Sequence, residues 1–239
     1  MTAYRHLIRN ANGMRHTAAT QPVQDTLEHG SVTFLYRPRV EQPHADELRD
    51  VQRLLILLAP SKHRFERLIA IGRKRLPRSA QRDRFWGFVD LVLTPYDMTA
   101  ALGAQVYGTK TRGLRHLPAA QPFSYGSYDL SIHGSHSHLR WHVDRVEARD
   151  PIAFEVDVED DADYIVTVAN PDLTVWGLTE PPELQESLFD ELELHVTVPA
   201  PFPRDLQERF GSRRFTQLDS VEWLDHPGAE MVFIGTGAT

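Results

Sequence analysis

Two stretches of this chain carry the same landmarks in the same order about 104 residues apart, and a repeat constrains a fold more tightly than any single motif. His29-Gly30-Ser31 returns as His133-Gly134-Ser135, and Pro95 as Pro199, both at an offset of 104. Tyr107-Gly108-Thr109-Lys110 returns as Phe210-Gly211-Ser212-Arg213 at 103, and Leu130-Ser131-Ile132 as Val232-Phe233-Ile234 at 102. The spacing predicts an internal tandem duplication, two units related by a pseudo-twofold axis.

Local signals give each unit mostly strands and one main helix. Val32–Arg37, Val51–Leu58, Leu68–Ile71 and Phe85–Leu93 are rich in β-branched, aromatic or aliphatic residues and end at Pro or Gly. A helix is predicted from Met98 to Tyr107, capped by Asp97 and stopped by Gly108. Its counterpart is Phe202–Phe210, with Pro203 in the first turn and Gly211 after the last. The expected fold is α+β, with largely antiparallel sheets in two closely packed repeats, 29–132 and 133–239. Residues 1–28 read as a loose arm.

The absence of cysteine excludes disulfides, thiolate nucleophiles and Cys-ligated metal centres. No apolar run reaches the length of a membrane span and no secretory leader opens the chain, so a cytoplasmic protein, monomeric or homodimeric, is expected. The net charge of −7 is segregated: Lys62–Arg84 holds nine Lys/Arg against two acids, whereas Asp150–Glu193 holds fourteen acids and no Lys or Arg. Such segments either attract each other within the chain or leave the basic one to an anionic partner.

One candidate for chemistry is the alternating strand His136-Ser137-His138-Leu139-Arg140-Trp141-His142-Val143-Asp144. Its even positions share one face and its odd positions the other, so Leu139, Trp141 and Val143 face a core. His136 and His138 are about 6.6 Å apart along a strand, close enough to chelate one divalent metal, though a third ligand must come from elsewhere. A solvated polar face accounts for the same pattern. Asp90, inside Phe88–Leu93, is either a buried acid or one position of an alternating face.

Basic loops are the second candidate. Lys110, Arg112 and Arg115 follow the first predicted helix, and Arg213 and Arg214 follow the second; Arg37, Arg39, Arg73, Lys74 and Arg75 are expected to join them. The guanidinium fork suits phosphate or carboxylate, and Tyr36, Phe85 and Trp86 offer rings for stacking on a base. The alternative is that cations after helices simply complement the helix dipole, and that Phe85, Trp86 and Phe88 are core.

The blocks His29–Val40, Asp50–Arg53, Ile71–Pro77, Phe85–Asp90, Thr111–His116 and Leu206–Phe215 resemble those of an uncharacterised bacterial and plant protein family. That resemblance spans about residues 29–235 and implies no activity. Phosphate-binding Gly-rich loops, the His-Glu-x-x-His pair and the Gly-x-Ser-x-Gly turn are all absent. The sequence therefore favours a noncatalytic or regulatory binding protein with an Arg-rich site for a phosphorylated or nucleic-acid ligand. The alternative is a metal-dependent enzyme built on His136 and His138.

Overall fold

In the computed structural model, which describes residues 25–76, 78–109, 113–177 and 202–237, alternation decides the architecture. In strand β1 (Asp25–Pro38), Val32, Phe34 and Tyr36 turn to one side, and the same alternation recurs in β2 (Val51–Pro60), β3 (Glu66–Ile71) and β4 (Arg84–Leu93). These four pair in chain order, antiparallel throughout. Helix α1 (Pro95–Leu102) and the hairpin of β5 (Gln105–Thr109) with β6 (Gly113–Leu117) follow. Then come β7 (Gln121–His133), β8 (His136–Val146), α2 (Pro151–Val156), β9 (Asp161–Ala169), α3 (Arg204–Phe210), β10 (Phe215–Gln217) and β11 (Glu230–Gly235).

Strand β7 pairs with β1 on one side and β8 on the other; β9 pairs with β8, and β11 lies between β9 and β4. The result is a closed barrel of eight antiparallel strands, ordered β1-β2-β3-β4-β11-β9-β8-β7. Closure removes the edges an open sheet would expose. The short β10 extends the row of β8 along the last residues of β9.

This corrects the expected α+β fold of two duplicated units to one mostly-β barrel. A twofold axis exchanging the proposed repeats would send β1 to β8 and β7 to β11, so β11 would have to pair with β8. It pairs instead with β9 and β4, and one barrel takes strands from both sides of His133. The helix expected at Met98–Tyr107 also differs. It starts earlier, with Thr94 accepting from the Asp97 amide, and stops at Gly103, because Gln105–Thr109 is β-forming and pairs as β5. Its proposed partner is present as α3, ended by Gly211 at φ 55°. Leu192–Val198 and residues 1–24 lie outside the described residues, and 25–28, expected in the loose arm, already belong to β1.

The interior is filled. Phe34, Leu54, Ile56, Ile69, Phe85, Leu130, Leu139, Trp141, Tyr164, Val166 and Phe233 form one buried cluster. Ile152 and Val156 of α2 join it at the end where β8 passes into β9. Leu206 and Phe210 of α3, with Trp223 and Leu224 of the 3-10 turn Val221–Asp225, join it at the other end. A barrel plugged at both ends leaves its outer wall for function. On that wall α1 covers Leu35, Leu55, Leu68 and Ala70 with Met98, whose full burial contributes about 1.5–3 kcal/mol.

Candidate functional site

The histidine strand has the alternation read from the sequence: Leu139, Trp141 and Val143 of β8 face the interior, and His136, His138, Arg140, His142 and Asp144 face out. Register then places carboxylates beside them. Asp163 of β9 sits opposite Arg140 and Asp161 opposite His142. Asp163 meets His138 Nδ1 at 2.7 Å and accepts from Arg140 Nε at 3.1 Å, and Asp161 meets His142 Nδ1 at 2.7 Å. A cleft of about 600 Å³ opens here, lined also by Ser79, Ser127, Asp129 and Glu159.

Most of these groups serve one another, and carboxylates outnumber cations. The Ser79 amide and the Tyr164 hydroxyl both donate to Glu159, and Arg78 pairs with Asp157. These contacts join the basic and acidic segments within one chain. For the metal reading, His138 is engaged by Asp163, and among the described residues no group of three or more His, Asp or Glu is arranged to hold an ion.

The hydrogen bond to Asp161, and then the field of Asp144 and Asp160, raise the His142 pKa above its ordinary value. Its imidazolium is therefore favoured by folding, a contribution complete below the ordinary histidine range and lost as pH rises through the elevated folded midpoint. A proton NMR titration should find the His142 midpoint above that of an exposed histidine, and Asp161→Asn should lower it. An unmoved midpoint in the variant would remove Asp161 as the cause.

The arginines named from the sequence disperse. Arg37 is buried beneath α1, donating to the carbonyls of Ala101, Gly103 and Pro118 at 3.0, 3.4 and 2.6 Å. Arg39 donates to the Arg49 carbonyl, and Arg115 pairs with Glu41. Arg213 donates to the carbonyls of Phe210 and Arg209, capping α3 as the helix-dipole alternative anticipated. Lys110 and Arg112 lie outside the described residues. With the duplication gone, no axis brings the two post-helix loops together. Asp90 is buried with Arg53 at 3.5 Å.

Arg73, Lys74 and Arg75 do stay together, on the loop leaving β3. The guanidinium carbons of Arg73 and Arg75 lie 5.6 and 5.7 Å from the Phe85 ring centroid. From that rim a row of side chains crosses the outer wall. Arg84 and Trp86, two apart on β4, point outward, while Phe85 and Gly87 turn inward. The Trp86 ring is 6.0 Å from Phe215 of β10, which is 5.1 Å from Trp176, and Arg214 lies 5.4 Å over Trp176. Trp86 and Phe215 are each 36% exposed. Beneath them the outward residues Val232, Ile234, Ile165 and Thr167 carry no charge.

Arg84, Trp176 and Phe215 were missed from the sequence, and Trp86 was read both as a ring for stacking and as core with Phe85 and Phe88. A signal existed for Trp86, since alternation across Arg84–Val89 puts it opposite Phe85. Nothing local joins Trp176 to Phe215; only the β9–β10 pairing does.

Comparison with protein-family models gave no match, and neither did comparison with curated proteins or with solved structures.

Proposed function

We propose that the protein is a cytoplasmic binding protein that holds an anionic ligand bearing a flat ring, on the outer wall of the barrel across β4, β11, β9 and β10. One observation carries this reading. Among the described residues Arg84 and Arg214 have no carboxylate partner, and they flank an exposed aromatic row, with Arg73 and Arg75 at the nearby barrel rim over Phe85. By contrast Arg115 is paired with an acid and Arg37 is spent on carbonyls, while Arg214 gives only its Nε to the Val175 carbonyl at 3.3 Å. Guanidinium groups supply the fork that phosphate accepts, and the rings supply stacking. The size of the electrostatic share follows from exposure: pairs at this wall are screened, so binding weakens as salt rises.

Calorimetric titration with adenosine triphosphate as the probe tests it. Each of Arg84→Ala and Arg214→Ala is expected to weaken binding about tenfold, in line with loss of one charge-assisted hydrogen bond. Unchanged affinity in both variants, or an affinity indifferent to salt, contradicts the reading.

A further inference from the structure

Resting on that reading, we infer that the ligand is single-stranded nucleic acid rather than a lone nucleotide. The charge stands at both ends of the row and the rings between. Arg84 lies on the β4 side, and Arg214 lies beyond Trp176 on the far side. Trp86, Phe215 and Trp176 follow one another at 6.0 and 5.1 Å between them. A mononucleotide has a single phosphate-bearing end and one base. It fills one ring position and one charged end, and leaves the rest of the row in water. A strand repeats base and phosphate, so rings meet rings while backbone charge meets guanidinium groups at either end.

Strandedness follows from the faces. In a duplex the base faces are stacked on one another and only groove edges are offered, and the row has no protruding helix or ribbon to enter a groove. Exposed aromatic rings such as Trp86 and Phe215 offer stacking to base faces, which only an unpaired strand presents. Stacking tolerates any base, so the site discriminates strandedness rather than sequence. The outward residues Val232, Ile234, Ile165 and Thr167 of the floor are uncharged, Glu230 at the start of β11 being the carboxylate on that face, whereas the cleft around Asp129, Asp161 and Asp163 gathers several and repels a strand.

Fluorescence anisotropy of a labelled twelve-residue oligodeoxythymidylate, with a duplex of equal length and thymidine monophosphate as competitors, decides it. The single strand should bind at least tenfold more tightly than either competitor, with affinity falling as salt rises. Trp86→Ala and Phe215→Ala should each weaken it by roughly 5- to 150-fold, and Trp86→Phe, which keeps a ring and the fold, should retain most of the affinity. If the monophosphate competes as well as the strand, the polymer inference fails and the anion site stands. If the duplex binds equally, backbone charge alone is being read and the inference fails. If neither oligonucleotide nor nucleotide binds, both readings fall.

Discussion

Arg67→Ala is expected to lower the unfolding free energy by about 3–5 kcal/mol, the range for removing one partner of a buried ion pair. Arg67 is fully buried on the inward side of β3, in register with Leu58. Its Nη1 donates to both Glu28 oxygens at 2.7 Å and its Nε to Asp225 at 2.8 Å. The Tyr128 hydroxyl donates to Glu28 at 2.6 Å, and burial followed by that bond pushes the phenol pKa upward. One guanidinium thus ties β3 to β1, β7 and the 3-10 turn that closes this end of the barrel. Without it, the Glu28 carboxylate is left buried and without its cation. Urea unfolding reads the loss as a lower midpoint at unchanged slope. Arg67→Lys keeps the charge but not the fork and should fall between. The control is Arg204, 93% exposed and paired with Glu208, whose removal should cost well under 1 kcal/mol. Equal effects at Arg67 and Arg204 would mean that the buried cluster stabilises nothing.

Gly126→Ala should cost about 1–3 kcal/mol or more, because an added methyl has no route of relaxation through side chains. A Cβ there would stand 1.9 Å from the His142 carbonyl oxygen and 3.0 Å from the Val143 Cα, both backbone of β8. The position falls at a register shift between β7 and β8, where the strands close up. They must part to admit the methyl, next to the wall that carries His142. Gly108, in the β5–β6 hairpin, has nothing within 4 Å of such a Cβ, and Gly108→Ala should be nearly neutral. Thermal melts of both variants separate close approach from a general intolerance of side chains.

The strands were legible where alternation is strong and both faces have a consequence. In β8, Leu139, Trp141 and Val143 could be placed inside before any coordinates, because their neighbours are charged. In β2, Leu54–Leu58 is apolar on both faces, since α1 covers the outer one, and the sequence could not assign its sides. Pairing order was the larger gap. The repeated His-Gly-Ser motifs sit at different kinds of place: Gly30 lies mid-strand in β1, where a Cβ would meet the Ala59 carbonyl, whereas Gly134 is the turn between β7 and β8 at φ 62°. Similar words with different backbone roles gave a false axis. No residue of β11 states that it inserts between β9 and β4; closure is a property of the whole ring.

The site was half legible for the same reason. Arg73, Lys74 and Arg75 are contiguous in sequence, and a loop keeps contiguous residues together. Trp86, Phe215 and Trp176 are joined only through the pairing of β4, β11, β9 and β10, so their row follows from topology rather than from spacing. Arg213 was legible as a cation after a helix, and that is the use the fold makes of it, whereas the place of Arg37 beneath the end of α1 depends on packing that its strand position does not state.

Nitrogen-15 spectra of the four tryptophan indoles during titration with the single-stranded oligonucleotide test the central claim, an outer-wall site on a filled barrel. Trp86 and Trp176 lie on the row, and Trp141 and Trp223 are buried in the interior cluster. The account predicts that the Trp86 and Trp176 signals shift in proportion to occupancy while those of Trp141 and Trp223 hold. Movement of Trp141 or Trp223 with Trp86 unchanged would place the ligand inside or at a barrel end and contradict it.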